Sequence, residues 1–398
     1  MPTRFSFWIP FMLIGFGHFF VDYYMNLLPM IMPDIAVRLG FSMGYAGLVF
    51  TLQSITSSWL QPVVGFWGDR FKSKYFLPFS IFWLGALTTS VGLMNAYWQV
   101  LAVCSLGALG SAVYHPLGSV AISSISEKNR SLLMSLYIMM GTLGMSLAPI
   151  TTIRVVHRAG LEGLPYLAIP GLVVTLLIVH TRNSKKKSKS IKQPDVKKEL
   201  PAISVSILPI LFVLILDMGM RQFVMRSLTT FLPYYYEFLG YPDSYSANIL
   251  SGFLIAQSIG GIIFGYISDR KGFRATLIIS FIAAIVSTAG FFFTTGVSSA
   301  VMLLAAGAAL QGPLPSSLVF AQDIAPKSKN LASGLMMGLS FGIGSFGSLY
   351  TGIVSDMLQQ NIILALGSNL IFLVVSAGLV IYLANHALIK RASCTSAA

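Results

Sequence analysis

Long apolar runs, each separated from the next by a short polar link, account for nearly the whole chain. A helix of about 20 mainly apolar residues crosses the hydrocarbon core of a bilayer. Twelve runs are of that order: 8–37, 43–67, 75–94, 97–123, 131–156, 163–181, 203–238, 244–267, 273–294, 298–322, 331–355 and 360–386. The links carry turn and charge signals, among them Glu127-Lys128-Asn129-Arg130, Gly240-Tyr241-Pro242-Asp243 and Pro326-Lys327-Ser328-Lys329-Asn330. Six runs lie on each side of Arg182–Glu199, a stretch with eight Lys or Arg, punctuated by Ser and Pro, without apolar periodicity. The expected fold class is all-α integral membrane, with twelve transmembrane helices in two pseudo-symmetric six-helix bundles. The expected boundaries are 1–181 for the first bundle, 182–202 for a basic linker, 203–388 for the second bundle and 389–398 for a disordered tail.

Composition agrees with the pattern. Of the 398 residues 55% are hydrophobic and 10% charged, with a mean hydropathy of +0.77, which excludes an ordinary soluble domain. The net charge of +13 invites a nucleic-acid reading, but its largest cluster sits in the linker, where a solvated loop is expected and no nucleic acid. Lys and Arg collect in alternate links: Arg4, Arg70, Lys72, Lys74, Lys128, Arg130, the linker, Arg270, Lys271, Arg274, Lys327, Lys329, Lys390 and Arg391 fall on one side. Positive residues favour the cytoplasm, so both termini and the linker are expected there, in the cell inner (plasma) membrane. The first run is longer than a signal-peptide core and is expected to stay as a span. Cys104 in an apolar run and Cys394 in the tail suggest no structural disulfide.

The two halves repeat. Gly265-Tyr266-Ile267-Ser268-Asp269-Arg270-Lys271-Gly272-Phe273-Arg274 echoes Gly65-Phe66-Trp67-Gly68-Asp69-Arg70-Phe71-Lys72-Ser73-Lys74. Leu28-Pro29 matches Leu232-Pro233 at an offset of 204, and His115–Ser119 loosely matches Gly312–Ser316 at 197. Parallel six-helix halves around a midplane site are a transporter architecture. The pattern Gly-x-x-x-Asp-Arg-x-Gly-x-Arg resembles the signature of the major facilitator superfamily, and with twelve spans and a basic middle loop the resemblance covers the chain. It implies that Asp69, Arg70, Gly265, Asp269, Arg270 and Arg274 gate the cytoplasmic ends of the halves. A carboxylate facing a neighbour's helix N-terminus and bases gains charge-assisted hydrogen bonds that break as the halves rock. Lys72 stands where the pattern has Gly, so the latch at Asp269 is expected to be the tighter.

Trp59–Gly65, Ser111–Pro116, Phe320–Asp323, Ser333–Gly342 with the later Asp356, and His18-Phe19-Phe20 with Asp22 resemble the fosmidomycin-resistance branch of that superfamily. The resemblance implies a proton-coupled exporter (antiporter) of a drug-like compound, fosmidomycin itself being a phosphonate. Leu117 departs from that branch, which tends to carry an acidic residue directly after His-Pro, so no proton site is expected at that position.

Ionisable residues inside a bilayer are expensive and are functional candidates by default. His18 and Asp22, four apart, share a helix face and are the candidates for proton coupling or for merely lining the cavity. Asp217 and Arg221 are spaced as a helical ion pair, while Arg226 falls opposite Asp22 at the offset of 204. An Asp22–Arg226 contact would be either a structural bridge or a pair that opens on protonation and frees the guanidinium for an anion. The substrate-binding candidates are Arg226, Arg221, His115, Tyr114, Gln53, Gln257 and Gln311; His115 is equally readable as satisfied by a carbonyl that Pro116 frees. Small residues in the fifth and eleventh runs suggest tight packing, and Tyr234–Tyr236 with Glu237 an interfacial belt.

No nucleotide loop, metal cluster or nucleophile grouping is present in the sequence, so no cofactor, metal or enzyme activity is expected. The expected partners are a small-molecule substrate, protons and the lipid bilayer, with the chain as a monomer. Two other readings stand beside the exporter: a proton-coupled uptake symporter using the same residues, and a non-transporting membrane sensor.

Overall fold

The computed structural model describes residues 5–61, 64, 75–123, 125, 130–184, 205–325 and 329–386. Among them the regular structure is helical throughout, and nine helical stretches are long and apolar enough to cross a membrane. The first span is α1 (Phe5–Met25) followed by the short α2 (Met32–Leu39); the second is α3 (Met43–Trp59), the third α4 (Phe76–Thr89) and the fourth α5 (Tyr97–Ser123). The fifth is α6 (Arg130–Ala159), the sixth α7 (Ala168–Ser184) and the seventh α8 (Leu208–Phe238). α9 (Asp243–Phe293) supplies the eighth and ninth, α10 (Gly296–Gln311) and α11 (Leu314–Ile324) the tenth, α12 (Lys329–Met357) the eleventh, and α13 (Ile362–Ser368) with α14 (Leu370–Asn385) the twelfth. Twelve spans in two six-helix bundles are the architecture expected from the apolar pattern.

The breaks have local causes. The first run was expected to be one helix over 8–37, but α1 stops at Met25, a single 3-10 turn covers Leu28–Met30, and α2 starts afresh. Pro29 and Pro33 each lack an N–H and crowd the preceding turn. The repeat partner Pro233 stands alone and α8 runs through it unbroken. Gly312-Pro313 separates α10 from α11 in the same way. In α9 the turn between two spans is one residue, Gly272, at φ 81° and ψ 164°, a conformation a Cβ would strain.

The halves meet along two seams, α3 against α12 and α6 against α9. At the Asp356 end the first seam is backbone on backbone: a Cβ on Gly352 would lie 2.9 Å from the Gly44 Cα, and one on Gly47 would lie 2.9 Å from the Ser348 carbonyl carbon. Thr51 Oγ1 donates to Ser345 O across it at 2.8 Å. Farther along α12, Gly334 and Gly338 have no neighbour within 4 Å of a Cβ position among the described residues. The closest described contact between the halves is thus at the Asp356 end of this seam.

Candidate functional site

Asp22 of α1 sits between two imidazoles. His18, one turn earlier on the same helix, places Nε2 3.4 Å from Asp22 Oδ2. His115 of α5 places its Nε2 3.4 Å from Oδ1. Pro116 lies inside α5, and His115 beside it faces the Asp22 carboxylate. The geometry fixes one proton. His18 Nδ1 lies 2.8 Å from the backbone carbonyl of Tyr137 on α6, and a carbonyl only accepts, so Nδ1 carries the hydrogen. Nε2 then meets Asp22 as a lone pair when His18 is neutral and as a donor when it is protonated.

The surroundings hold the two rings in place. The Tyr137 ring stacks on His18 at 4.0 Å between centroids and 13° between planes, and His115 meets His18 edge-on at 5.1 Å. Gly141 of α6 lets the helix close on the pair, since a Cβ there would lie 2.5 Å from His18 Cε1. Asn26 Nδ2 donates to the Asp22 carbonyl at 2.8 Å. His18, Asp22 and His115 present three ligand-capable atoms within 4.8 Å of one another. The Arg226 guanidinium also acts on the Asp22 carboxylate, a positive charge that competes with a metal ion.

Arg226 of α8 is half-buried and acts on the Asp22 carboxylate from the other half, but makes no ion pair with it or with any other described residue. The direct Asp22–Arg226 contact that the repeat suggests is therefore not made in this arrangement. Gln222, one turn before Arg226, donates through Nε2 to Gln311 Oε1 of α10 at 2.6 Å. Gln53 and Gln257 are buried, each with an Nε2 that lacks a partner among the described residues.

Two of the substrate-binding candidates are buried in contacts between helices. Arg221 is 1% exposed, Nε donates to Asp217 Oδ2 at 3.3 Å and Nη1 to Ser280 Oγ of α9 at 3.3 Å, while Nη2 has no partner among the described residues. Asp217 also accepts from the Ser376 hydroxyl of α14, so the pair fastens α8 inside the second bundle. Tyr114 is wholly buried and its hydroxyl donates to Ile14 O at 2.5 Å, tying α5 to α1. In the Gly265–Arg274 knot, Asp269, Arg270 and Arg274 are exposed, and the Arg270 guanidinium lies 5.4 Å from the Tyr266 ring centroid. Asp69 and Arg70 lie outside the described residues. A cavity of about 790 Å³ opens elsewhere, at the Asp356 end, beside Phe41, Tyr234, Glu237, Gln359 and Gln360; none of its lining residues belongs to the Asp22 cluster.

The sequence pattern of the Major Facilitator Superfamily matches residues 14–348. The chain belongs to that superfamily. Superfamily members are transporters and not enzymes, and this one is a multi-pass membrane transporter for a small molecule. It is 24% identical over 353 residues to the fosmidomycin resistance protein of Escherichia coli (strain K12), covering 86% of this chain and 85% of that one. It is 24% identical over 361 residues to the uncharacterized MFS-type transporter YfnC of Bacillus subtilis (strain 168), covering 86% of each. Among solved structures, a bacterial homolog to the human lysosomal transporter Spinster, inward-facing and occupied, superposes with a TM-score of 0.80 at 15% identity over 97% of each chain. The nucleoside transporter NupG superposes with a TM-score of 0.72 at 17% identity, over 94% of this chain and 98% of that one. The superfamily fold accounts for the repeat at 204, and two residues with contacts across the molecule had no role in the sequence reading. Gln222 stands 204 residues after His18, as Arg226 does after Asp22, and Asp356 was visible only as part of a motif.

Proposed function

We propose that this facilitator exports a small, anionic, drug-like or metabolite compound in exchange for protons, by alternating access. The observation that carries the reading is the Asp22 carboxylate flanked by His18 and His115 at 3.4 Å each, opposite the Arg226 guanidinium, which makes no ion pair among the described residues. An unpaired guanidinium inside a membrane is costly, and an anionic group of the substrate is the partner that relieves it. In exchange the two loads alternate: the anion leaves on Arg226 with Asp22 ionised, and the proton returns on Asp22 with the anion gone. Release of the proton inside would reset the pair. Gln53, Gln257 and the Gln222–Gln311 pair supply neutral polar contacts around it.

The Lys and Arg bias supports a cytoplasmic position for the termini, the linker and the Gly272 turn, in the inner membrane. On that orientation the Asp356 end, where the halves touch, lies outside, which supports reading the arrangement as inward-facing, the state named in the Spinster homologue's description. The knot at Gly265, Asp269, Arg270 and Arg274 would then close the cytoplasmic side in the opposite state, together with Asp69 and Arg70. Purified protein in proteoliposomes tests the coupling. Asp22→Asn should abolish uphill transport driven by a pH gradient while substrate counterflow persists; unchanged uphill transport with unchanged pH dependence defeats the assignment.

A further inference from the structure

Asp356 belongs to the last turn of α12 in the second bundle, but its carboxylate bonds the first bundle. Oδ1 accepts from the Met43 backbone N–H at 3.1 Å; Oδ2 accepts from the Gly44 N–H at 2.9 Å and from the Ser42 hydroxyl at 2.5 Å. These residues open α3. The first N–H groups of a helix have no partner inside it and its N-terminal end carries partial positive charge. The cap residue's own side chain usually answers them, but Ser42 makes no such bond and donates to Asp356 instead. The helix is capped from the other half of the molecule.

We propose that Asp356 is the latch that holds this end of the transporter shut, and that opening it requires the carboxylate to leave the start of α3. The inference rests on the alternating-access reading, since a cap between two halves that never part would be only a structural bond. The backbone contact around Gly47 and Gly352 brings the two helices close enough for the latch to seat, and Gly44 leaves it room: a Cβ there would lie 2.6 Å from Asp356 Oδ2. The repeat-related contact on the other seam is different in kind. His157 Nε2 lies 3.4 Å from Asp243 Oδ2 with both side chains about half exposed, 53% and 52%, where water screens an ion pair to little effect. The latch is therefore one-sided, with Asp356 holding more firmly than the His157–Asp243 pair.

The test measures distances across this end by double electron–electron resonance on the full chain in lipid nanodiscs, with Cys104→Ala and Cys394→Ser. Spin labels go on Val37→Cys and Val297→Cys, exposed at 80% and 81% in opposite halves. Asp356→Ala should raise the ratio of long to short separations at least tenfold, which corresponds to about 1.4 kcal/mol. Ser42→Ala, which removes one of the three bonds, should give a smaller shift of the same sign, Asp356→Glu should restore part of the wild-type ratio, and His157→Gln should change it less than twofold. A wild type that shows both separations and an Asp356→Ala variant with the same ratio overturns the latch alone. A single short separation in wild type and all variants, across pH and ligand conditions, overturns the latch together with alternating access.

Discussion

A carboxylate between two imidazoles can share a proton with either, and which nitrogen faces it is set by the backbone carbonyl of Tyr137, not by Asp22. At this scale the two arginines of α8 separate by environment: Arg221 is buried against Asp217 and Ser280, with Nη2 left without a partner, and Arg226 makes no ion pair among the described residues. Arg226→Gln should weaken binding of the anionic substrate roughly thirtyfold or more, because losing one partner of a desolvated charge pair costs about 2–5 kcal/mol. Arg221→Gln should leave that affinity within a few-fold and lower the melting temperature instead. Equilibrium binding and thermal melting on the same preparations decide between the roles. Gly141→Ala pushes α6 off His18 and Asp22, so it should suppress pH-driven transport with little loss of counterflow, measured in the proteoliposome assay.

Between elements, the buried Asp217–Arg221 pair shows what a polar group does inside a membrane bundle. It joins α8 to α9 through Ser280 and to α14 through Ser376. Removing one partner leaves an uncompensated buried charge, so Asp217→Ala should cost about 3–5 kcal/mol of stability, and Asp217→Leu with Arg221→Met should recover much of it. Reversible unfolding in lipid checks both. The i,i+4 spacing made this pair visible in the sequence. What it faces was not visible, because the polar residues of α8, among them Asp217, Arg221, Gln222 and Arg226, do not fall on one helix face that would mark the side toward the cavity. The break in the first span was missed for a related reason, since hydropathy runs unbroken through Pro29 and Pro33 while the hydrogen-bond ladder does not.

For the whole molecule, the contact at the Asp356 end belongs to one of the two arrangements that a rocking pair of bundles would visit. On the proposed reading the two knots would close the other. Because Gly272 takes a left-handed turn that Lys72 at the repeat position could not take without strain, Asp269→Ala should impair transport more than Asp69→Ala. Equal or reversed losses in initial transport rate would remove the asymmetry.

The sequence by itself determined the membrane environment, the twelve spans, the duplication and the family resemblance, because apolar length and a repeat at a constant offset are one-dimensional quantities. The same offset of 204 pairs Asp22 with Arg226, His18 with Gln222 and Gln53 with Gln257. Tertiary structure alone decided that His115 joins Asp22, that Arg221 and Tyr114 are used up in packing, and that Asp356 crosses to α3. Those contacts join residues as much as 314 positions apart, and they depend on which face each helix presents and where the two bundles touch, neither of which an apolar run encodes.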